Sequence, residues 1–241
     1  MTTSGFVNAA SFQPGLVPCG LATVIGTGIA TGINGTVFGS SFFGGYAASL
    51  NGLSLSVNGT TGPIYALSNI NGKEQATFQV PCETILGFAT VAVTFNGGST
   101  TVSNVPVVQA QPGIFTFVDI NGSTYADVIS AADGSYISIN NPARKGGSYY
   151  MFVTGLGLVS PATATNRAGI PGENVLVQLA VGIGTGGAAL NSAQYATGLI
   201  GVYLVGFTIP ADAQSGDRNL SLGAVLNGTT VFSNSTLIRI Q

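Results

Sequence analysis

Charge is what this sequence has least of. Lys, Arg, Asp and Glu make up 6% of its 241 residues, against roughly 25% in an ordinary soluble domain. Histidine and tryptophan are absent, and there are only two cysteines. Each shortage excludes something. Without His there is no Ser-His-Asp or Cys-His arrangement, and the commonest metal ligand is missing. The Lys and Arg residues are scattered, with Arg144 and Lys145 the one adjacent pair. Nucleic acid, which needs clustered cations to displace its counterions, is therefore not an expected partner. Membrane insertion is not expected either. The most apolar stretch, Gly20 to Ile33, is interrupted by Thr23, Gly26, Thr27, Gly28, Thr31 and Gly32 and never reaches about 18 uninterrupted apolar residues. No segment of helical length carries a sustained 3.6-residue period. The first residues, Met1 to Phe6, lack the basic segment and apolar core of a signal peptide. If the chain is exported, its signal has been removed and Met1 is not part of the mature protein.

What is present is a strand-and-turn vocabulary. The chain is 45% hydrophobic, too apolar for disorder, so its polar surface is built from Ser, Thr, Asn, Gln and Gly. Asn-Gly occurs at 34, 51, 58, 71, 96, 121 and 227, and Asp-Gly at 133. Both residues of Asn-Gly accept positive φ in a tight hairpin turn. Between the turns, Leu53–Val57, Ala76–Val80, Thr90–Phe95, Val175–Val181, Tyr203–Ile209 and Thr236–Ile240 alternate apolar and polar residues as half-buried strands do. The chain also repeats itself. Gly26-Thr-Gly-Ile29 is echoed by Val153-Thr-Gly-Leu156, Phe78-Gln-Val-Pro81 by Phe207-Thr-Ile-Pro210, and Asn96–Asn104 by Asn227–Asn234, at offsets of 127, 129 and 131 residues. Two modules follow, each with about seven short strands and turn signals every 8–12 residues, the pattern of a Greek-key sandwich. The expected fold is all-β: two tandem immunoglobulin-like β-sandwich modules, residues 1–110 and 141–241. The connecting β segment 111–140 is expected as a hairpin packed between them.

The order of short motifs resembles a family: the domain of uncharacterised function at the carboxyl ends of large secreted proteins of Acidobacteria such as Solibacter. The matching pieces are Val7-Asn-Ala-Ala-Ser-Phe12, Phe78-Gln-Val-Pro81, Gln111-Pro-Gly-Ile-Phe-Thr116, Asp133-Gly-Ser135, Asn141-Pro-Ala143, Thr154-Gly-Leu-Gly157 and Gly198–Tyr203 running into Ile209-Pro210. They cover nearly the whole chain in order. The resemblance implies an extracellular setting and Ig-like modules, and it implies no reaction. Cys82 departs from it, standing where the family usually has a bulky apolar residue. So does the Gly- and aromatic-rich Gly39–Ser49, where the family tends to carry prolines.

Cys19 precedes the first long strand of module one and Cys82 follows the Ala76–Val80 strand. The second and fifth strands of an Ig-like sandwich are antiparallel neighbours, so the start of one lies beside the end of the other. That predicts a Cys19–Cys82 disulfide, the alternative being two buried free thiols. The glycines of Gly155-Leu-Gly157 and Gly182–Gly187 have no following helix to hold a phosphate and read as turn or bulge residues. The acids Glu74, Glu83, Asp119, Asp127, Asp133, Glu173, Asp212 and Asp217 leave a paired-carboxylate glycosidase conceivable, but several sit beside turns as ordinary solvated groups. Asp119-Ile-Asn-Gly-Ser123 with Asp127 has alternate oxygen ligands like a calcium loop. The closing Glu is missing, Ser130 standing in its place, so an Asx turn is the better reading. The Asn-x-Ser/Thr sequons, among them Asn34, Asn58, Asn121, Asn227 and Asn234, mostly coincide with Asn-Gly turns. Phe42, Phe43 and Tyr46, set among Gly and Ser, are the candidate ligand or partner contacts; the competing reading has the two phenylalanines capping the sandwich edge.

No cofactor, no metal and no catalytic residue are expected. Sheet edges are normally guarded by charge, Lys above all, and Lys73 and Lys145 are the only two lysines. The expected function is that of a non-enzymatic, extracellular or cell-surface structural protein. Its partners are copies of itself, in a filament, a surface assembly or an adhesive scaffold. The alternative is a carbohydrate-binding module with surface glycans as ligands.

Overall fold

The computed structural model describes residues 1–39 and 44–241. Apart from one 3-10 turn at Thr3–Gly5, every regular element is a strand. The first ten are β1 Phe6–Asn8, β2 Leu21–Gly26, β3 Gly35–Phe38, β4 Ser49–Leu50, β5 Leu53–Val57, β6 Thr60–Thr61, β7 Ile64–Ile70, β8 Lys73–Gln79, β9 Gly87–Phe95 and β10 Gly98–Val107. They form two sheets, β1-β2-β8-β7-β3 and β10-β9-β5-β4, with β6 also on β5. With β3 set aside as an added edge, these are the A-B-E-D and G-F-C sheets of an immunoglobulin-like sandwich. Alternation decides the faces. Leu53, Leu55 and Val57 of one strand and Ala89, Val91 and Val93 of its neighbour turn inward onto Val24, Ala76 and Phe78 of the other sheet. A side chain like Phe78, fully buried, contributes about 2–3 kcal/mol in this way.

The remaining strands are β11 Gly113–Ile114, β12 Thr116–Val118, β13 Thr124–Ala126, β14 Val128–Ser130, β15 Ser148–Thr154, β16 Val159–Ser160, β17 Asn174–Val175, β18 Gln178–Ile183, β19 Gly186–Tyr195, β20 Tyr203–Thr208, β21 Gly216–Leu226, β22 Thr229–Phe232 and β23 Thr236–Ile240. They make a second sandwich of the same plan. β15, β20 and β19 take the places of B, E and D, and β18 and β21 those of C and F. β22 and β23 share the place of G. Long β19 serves both sheets: Val181 pairs with Ala188 near its start and Tyr195 with Tyr203 at its end, with a register shift between Leu190 and Ser192.

The segment 111–140 is not a separate connecting element. β11 and β14 both pair with β15, and the β12–β13 hairpin lies against β23. Its apolar residues Ile114, Tyr125, Ala126 and Val128 are buried, because a hairpin of this length is stable only when it extends a larger sheet. All its ladder pairing is within the second sandwich. Turn chemistry also divides. Asn51, Asn58, Asn71, Asn96 and Asn227 have positive φ, each followed by a positive-φ Gly, as hairpin turns require. Asn34 and Asn121 are not among the positive-φ residues, and at 121 the reason is local. Asp119 Oδ1 accepts hydrogen bonds from Asn121 N at 2.9 Å and Ser123 N at 2.7 Å, an Asx turn that places the chain differently.

The internal repeat extends to single hydrogen bonds. Cys19 N donates to Val80 O at 3.1 Å, and Gly146 N donates to Ile209 O at 2.9 Å. Val80 N donates to Gly20 O and Ile209 N to Gly147 O, each at 2.9 Å. Even the unusual backbone is shared, with φ of 65° at Cys19 and 74° at Gly146.

Candidate functional site

At the end of β8, Leu21 pairs with Gln79, which brings Cys19 and Cys82 together. They are disulfide-bonded, across a sequence separation of 63. Both are buried, and they pack in the same cluster as Leu156, Val159 and Ile209 of the second module. The bridge therefore sits at the junction of the two sandwiches.

Around it the modules are tied by side chains that the rest of the fold does not need. Thr154, at the end of β15 and fully buried, accepts a hydrogen bond from Leu21 N and donates to Gly201 O, both at 2.7 Å. Gln79, equally buried, donates from Nε2 to the Tyr195 hydroxyl at 3.0 Å, and its Oε1 accepts from Asn166 N at 2.6 Å. Burial pushes the Tyr195 phenol up to about 12. Asn8 Nδ2 donates to Gln111 O at 2.8 Å. Cys82 N donates to Thr165 Oγ1 at 2.9 Å, and the Thr165 hydroxyl in turn donates to the Glu83 carboxylate. Partial burial works to raise the Glu83 pKa, but the hydrogen bonds from Thr165 and from its own backbone outweigh it and hold it below the usual value. Thr154→Val keeps the shape and leaves Leu21 N without a partner in a buried site. We expect it to cost about 2 kcal/mol in chemical denaturation; an unchanged midpoint would mean that water reaches the junction.

Tyr46 belongs to this junction and is not an exposed platform. Its hydroxyl donates to Ile200 O at 3.0 Å, its N donates to Asn166 Oδ1 at 2.7 Å, and Asn166 Nδ2 returns a bond to Tyr46 O at 3.0 Å. Its Gly- and Ser-rich surroundings read as a solvent-exposed loop only because Ile200 and Asn166 lie more than a hundred residues away. Phe42 and Phe43 lie outside the described residues. Sequence reasoning missed Thr154, Gln79, Thr165 and Asn166. The signal for one of them lay in the mismatches between repeats: Gln79 stands where module two has Thr208, just as Cys19 and Cys82 stand opposite Gly146 and Ala211.

The carboxylates are mostly used up by structure. Glu74 holds Ile29 N at 2.6 Å and Ala30 N at 3.0 Å. Asp119 closes its turn, Asp133 accepts from Ser135, and Glu173 accepts from Ile170 N. Asp217 takes the Tyr125 hydroxyl at 2.9 Å and pairs with Arg239 at 3.2 Å. With Glu83, that leaves exposed Asp212 and half-buried Asp127. Among the described residues no group of three or more His, Cys, Asp or Glu could hold a metal ion, and no helix is long and apolar enough to cross a membrane. The glycines 182–187 form the β18–β19 hairpin.

These strand orders define a tandem immunoglobulin-like β-sandwich protein. No family model and no curated protein matches the chain. Among solved structures it is similar to the tandem Ig repeats of Dlar, at 10% identity over 95% of this chain and 92% of that one, TM-score 0.22. It is also similar to the C-terminal domain of the AgI/II polypeptide BspA of Streptococcus agalactiae, at 11% identity over 97% and 99%, TM-score 0.22. A third likeness is to an endo-fucoidan hydrolase of glycoside hydrolase family 107, MfFcnA4, at 11% identity and TM-score 0.22; it covers 95% of this chain but 27% of the hydrolase. Likeness at this level says nothing about function, and the fold class rests on the strand order itself.

Proposed function

We propose that this protein is a non-enzymatic, extracellular structural subunit whose copies associate through the edges of their sheets. The observation that supports it is where the charges lie. Lys73 and Glu74 are on β8, Asp217 and Arg218 on β21, and Arg239 on β23, all strands with neighbours on both sides. The strands that end the sheets, β1, β3, β4, β10, β11 and β12, and β22 beside β21, carry no charged residue. Three of them instead present an exposed apolar side chain: Phe38, Val118 and Phe232. Soluble proteins usually do the opposite, because an unguarded edge offers a row of unpaired N–H and C=O groups to any passing strand. With a net charge of −2, repulsion between copies is weak as well. The disulfide fits an oxidising compartment.

Placing one lysine on each of the four edge strands β3, β10, β12 and β22, as Thr36→Lys, Thr100→Lys, Val118→Lys and Phe232→Lys, should separate the copies without touching either core. Size-exclusion with light scattering should then find the wild type at a multiple of 24.1 kDa and the fourfold variant at the monomer mass. A wild type that stays monomeric at high concentration would sink the proposal. The carbohydrate-binding alternative is the weaker reading, since Tyr46 spends its hydroxyl on Ile200 O.

A further inference from the structure

Of the two carboxylates without a side-chain partner among the described residues, Asp212 is exposed and Asp127 is half-buried. Asp127 lies between β13 and β14, half-buried, with no hydrogen bond or counter-ion to its side chain among the described residues. Its backbone, by contrast, is fully engaged: Asp127 N donates to Phe115 O at 2.8 Å and Phe152 N donates to Asp127 O at 3.0 Å. Phe115 N donates to Phe152 O at 3.0 Å, so the three residues are held side by side on adjacent segments. Their side chains line a groove of about 290 Å³ at the module junction, whose other wall carries Tyr46 and Tyr65. The Tyr46 and Tyr65 rings are 5.2 Å apart and inclined at 59°, and Phe38 stands 5.5 Å from Tyr65 at 66°.

We propose that this groove binds a small organic monocation with an alkylated ammonium head, the rings forming its walls and Asp127 its counter-charge. Three features select that ligand class. The charge is single, negative and uncompensated, in a chain that places no Lys, Arg or His in the groove lining. Four aromatic residues, Tyr46, Tyr65, Phe115 and Phe152, line the groove, and aromatic rings attract a cation. Tyr46 and Tyr65 are inclined to each other at 59°, which suits a compact head, whereas a sugar ring prefers a flat exposed platform. The volume suits a small ligand, being at the low end for small-molecule sites. The cost of keeping Asp127 there is visible: burial raises its carboxyl pKa above the ordinary value. Among the described residues, Tyr46 and Tyr65 are the only other titratable groups lining the groove, and burial raises the Tyr46 phenol above its ordinary value.

Choline tests this directly, against its neutral isostere 3,3-dimethyl-1-butanol and methyl glucoside, by NMR titration of the whole chain. Choline should bind at least about tenfold more tightly than the isostere. Asp127→Asn should abolish that preference, and Tyr65→Leu should weaken choline binding about tenfold. Stability gives a second readout. Because the folded pKa of Asp127 is raised, its charged form is disfavoured in the fold. The wild type therefore loses stability as pH climbs from the ordinary Asp value through the raised one. Asp127→Asn should accordingly raise Tm at pH 7 and leave it unchanged near pH 3. Equal binding of choline and its isostere overturns the proposal, as does binding of methyl glucoside alone. A lower Tm for Asp127→Asn at pH 7 would show Asp127 to be structural and overturn it too.

Discussion

Replacing Cys19 and Cys82 together by alanine should cost about 4 kcal/mol of stability, the loop-closure entropy of a bridge this long. The bridge spans 63 residues, and on a chain of this size the loss corresponds to roughly 10 °C in Tm. The second module supplies the comparison. Gly146 makes the same backbone hydrogen bond that Cys19 makes, at nearly the same φ, so the local turn closes without a disulfide. What the bridge adds is restriction of the unfolded chain, together with apolar contact at the junction. Calorimetry of the wild type with and without reductant should reproduce the double variant. A loss below about 1 kcal/mol would mean that the unfolded loop is already compact, as denatured chains can be.

Gly155→Ala should be comparably damaging, and its repeat partner Gly28 is the built-in control. Both glycines have φ of +78°. An alanine at either position carries the left-handed penalty of about 1 kcal/mol. At Gly28 a Cβ would meet nothing within 4 Å, whereas at Gly155 it would lie 2.2 Å from Gln111 O and 2.5 Å from Asn8 Nδ2. Backbone cannot step aside as a flexible side chain can, so overpacking adds up to about 3 kcal/mol. Gly28→Ala is expected to lose about 1 kcal/mol and Gly155→Ala about 4, measured by denaturant midpoint. Equal losses would show that the junction yields to the extra methyl group.

Much of the fold was legible because it is local. Leu53–Val57 and Thr236–Ile240 are strands with the bounds that their alternation implies, since a period of two admits only one way to bury a face. The Cys19–Cys82 pairing followed from the neighbourhood of the second and fifth strands, which topology dictates. The Val175–Val181 run alternates like one strand and is two, β17 and β18, with Leu176 exposed at the break. There the chain leaves one sheet for the other, and periodicity has no sign for a change of sheet. Segment 111–140 is strand-forming by its local pattern, yet its place in the second sandwich depends on pairing with β15 and β23, whose positions a local pattern does not contain.

The shortage of charge belongs to the sequence alone, and with it the absence of a histidine chemistry, the repeat at nearly constant offset and the β class of both modules. Those are properties of composition and short-range pattern, which φ, ψ and side-chain alternation translate directly into strands and turns. The tertiary structure alone decided that the charges carried by strands lie on strands with neighbours on both sides and that Tyr46 faces the junction. It also decided that, among the described residues, Asp127 is the half-buried carboxylate without a partner. Each of those depends on residues far apart in sequence meeting at a module boundary, and two copies of one pattern cannot foretell which face each will turn toward the other.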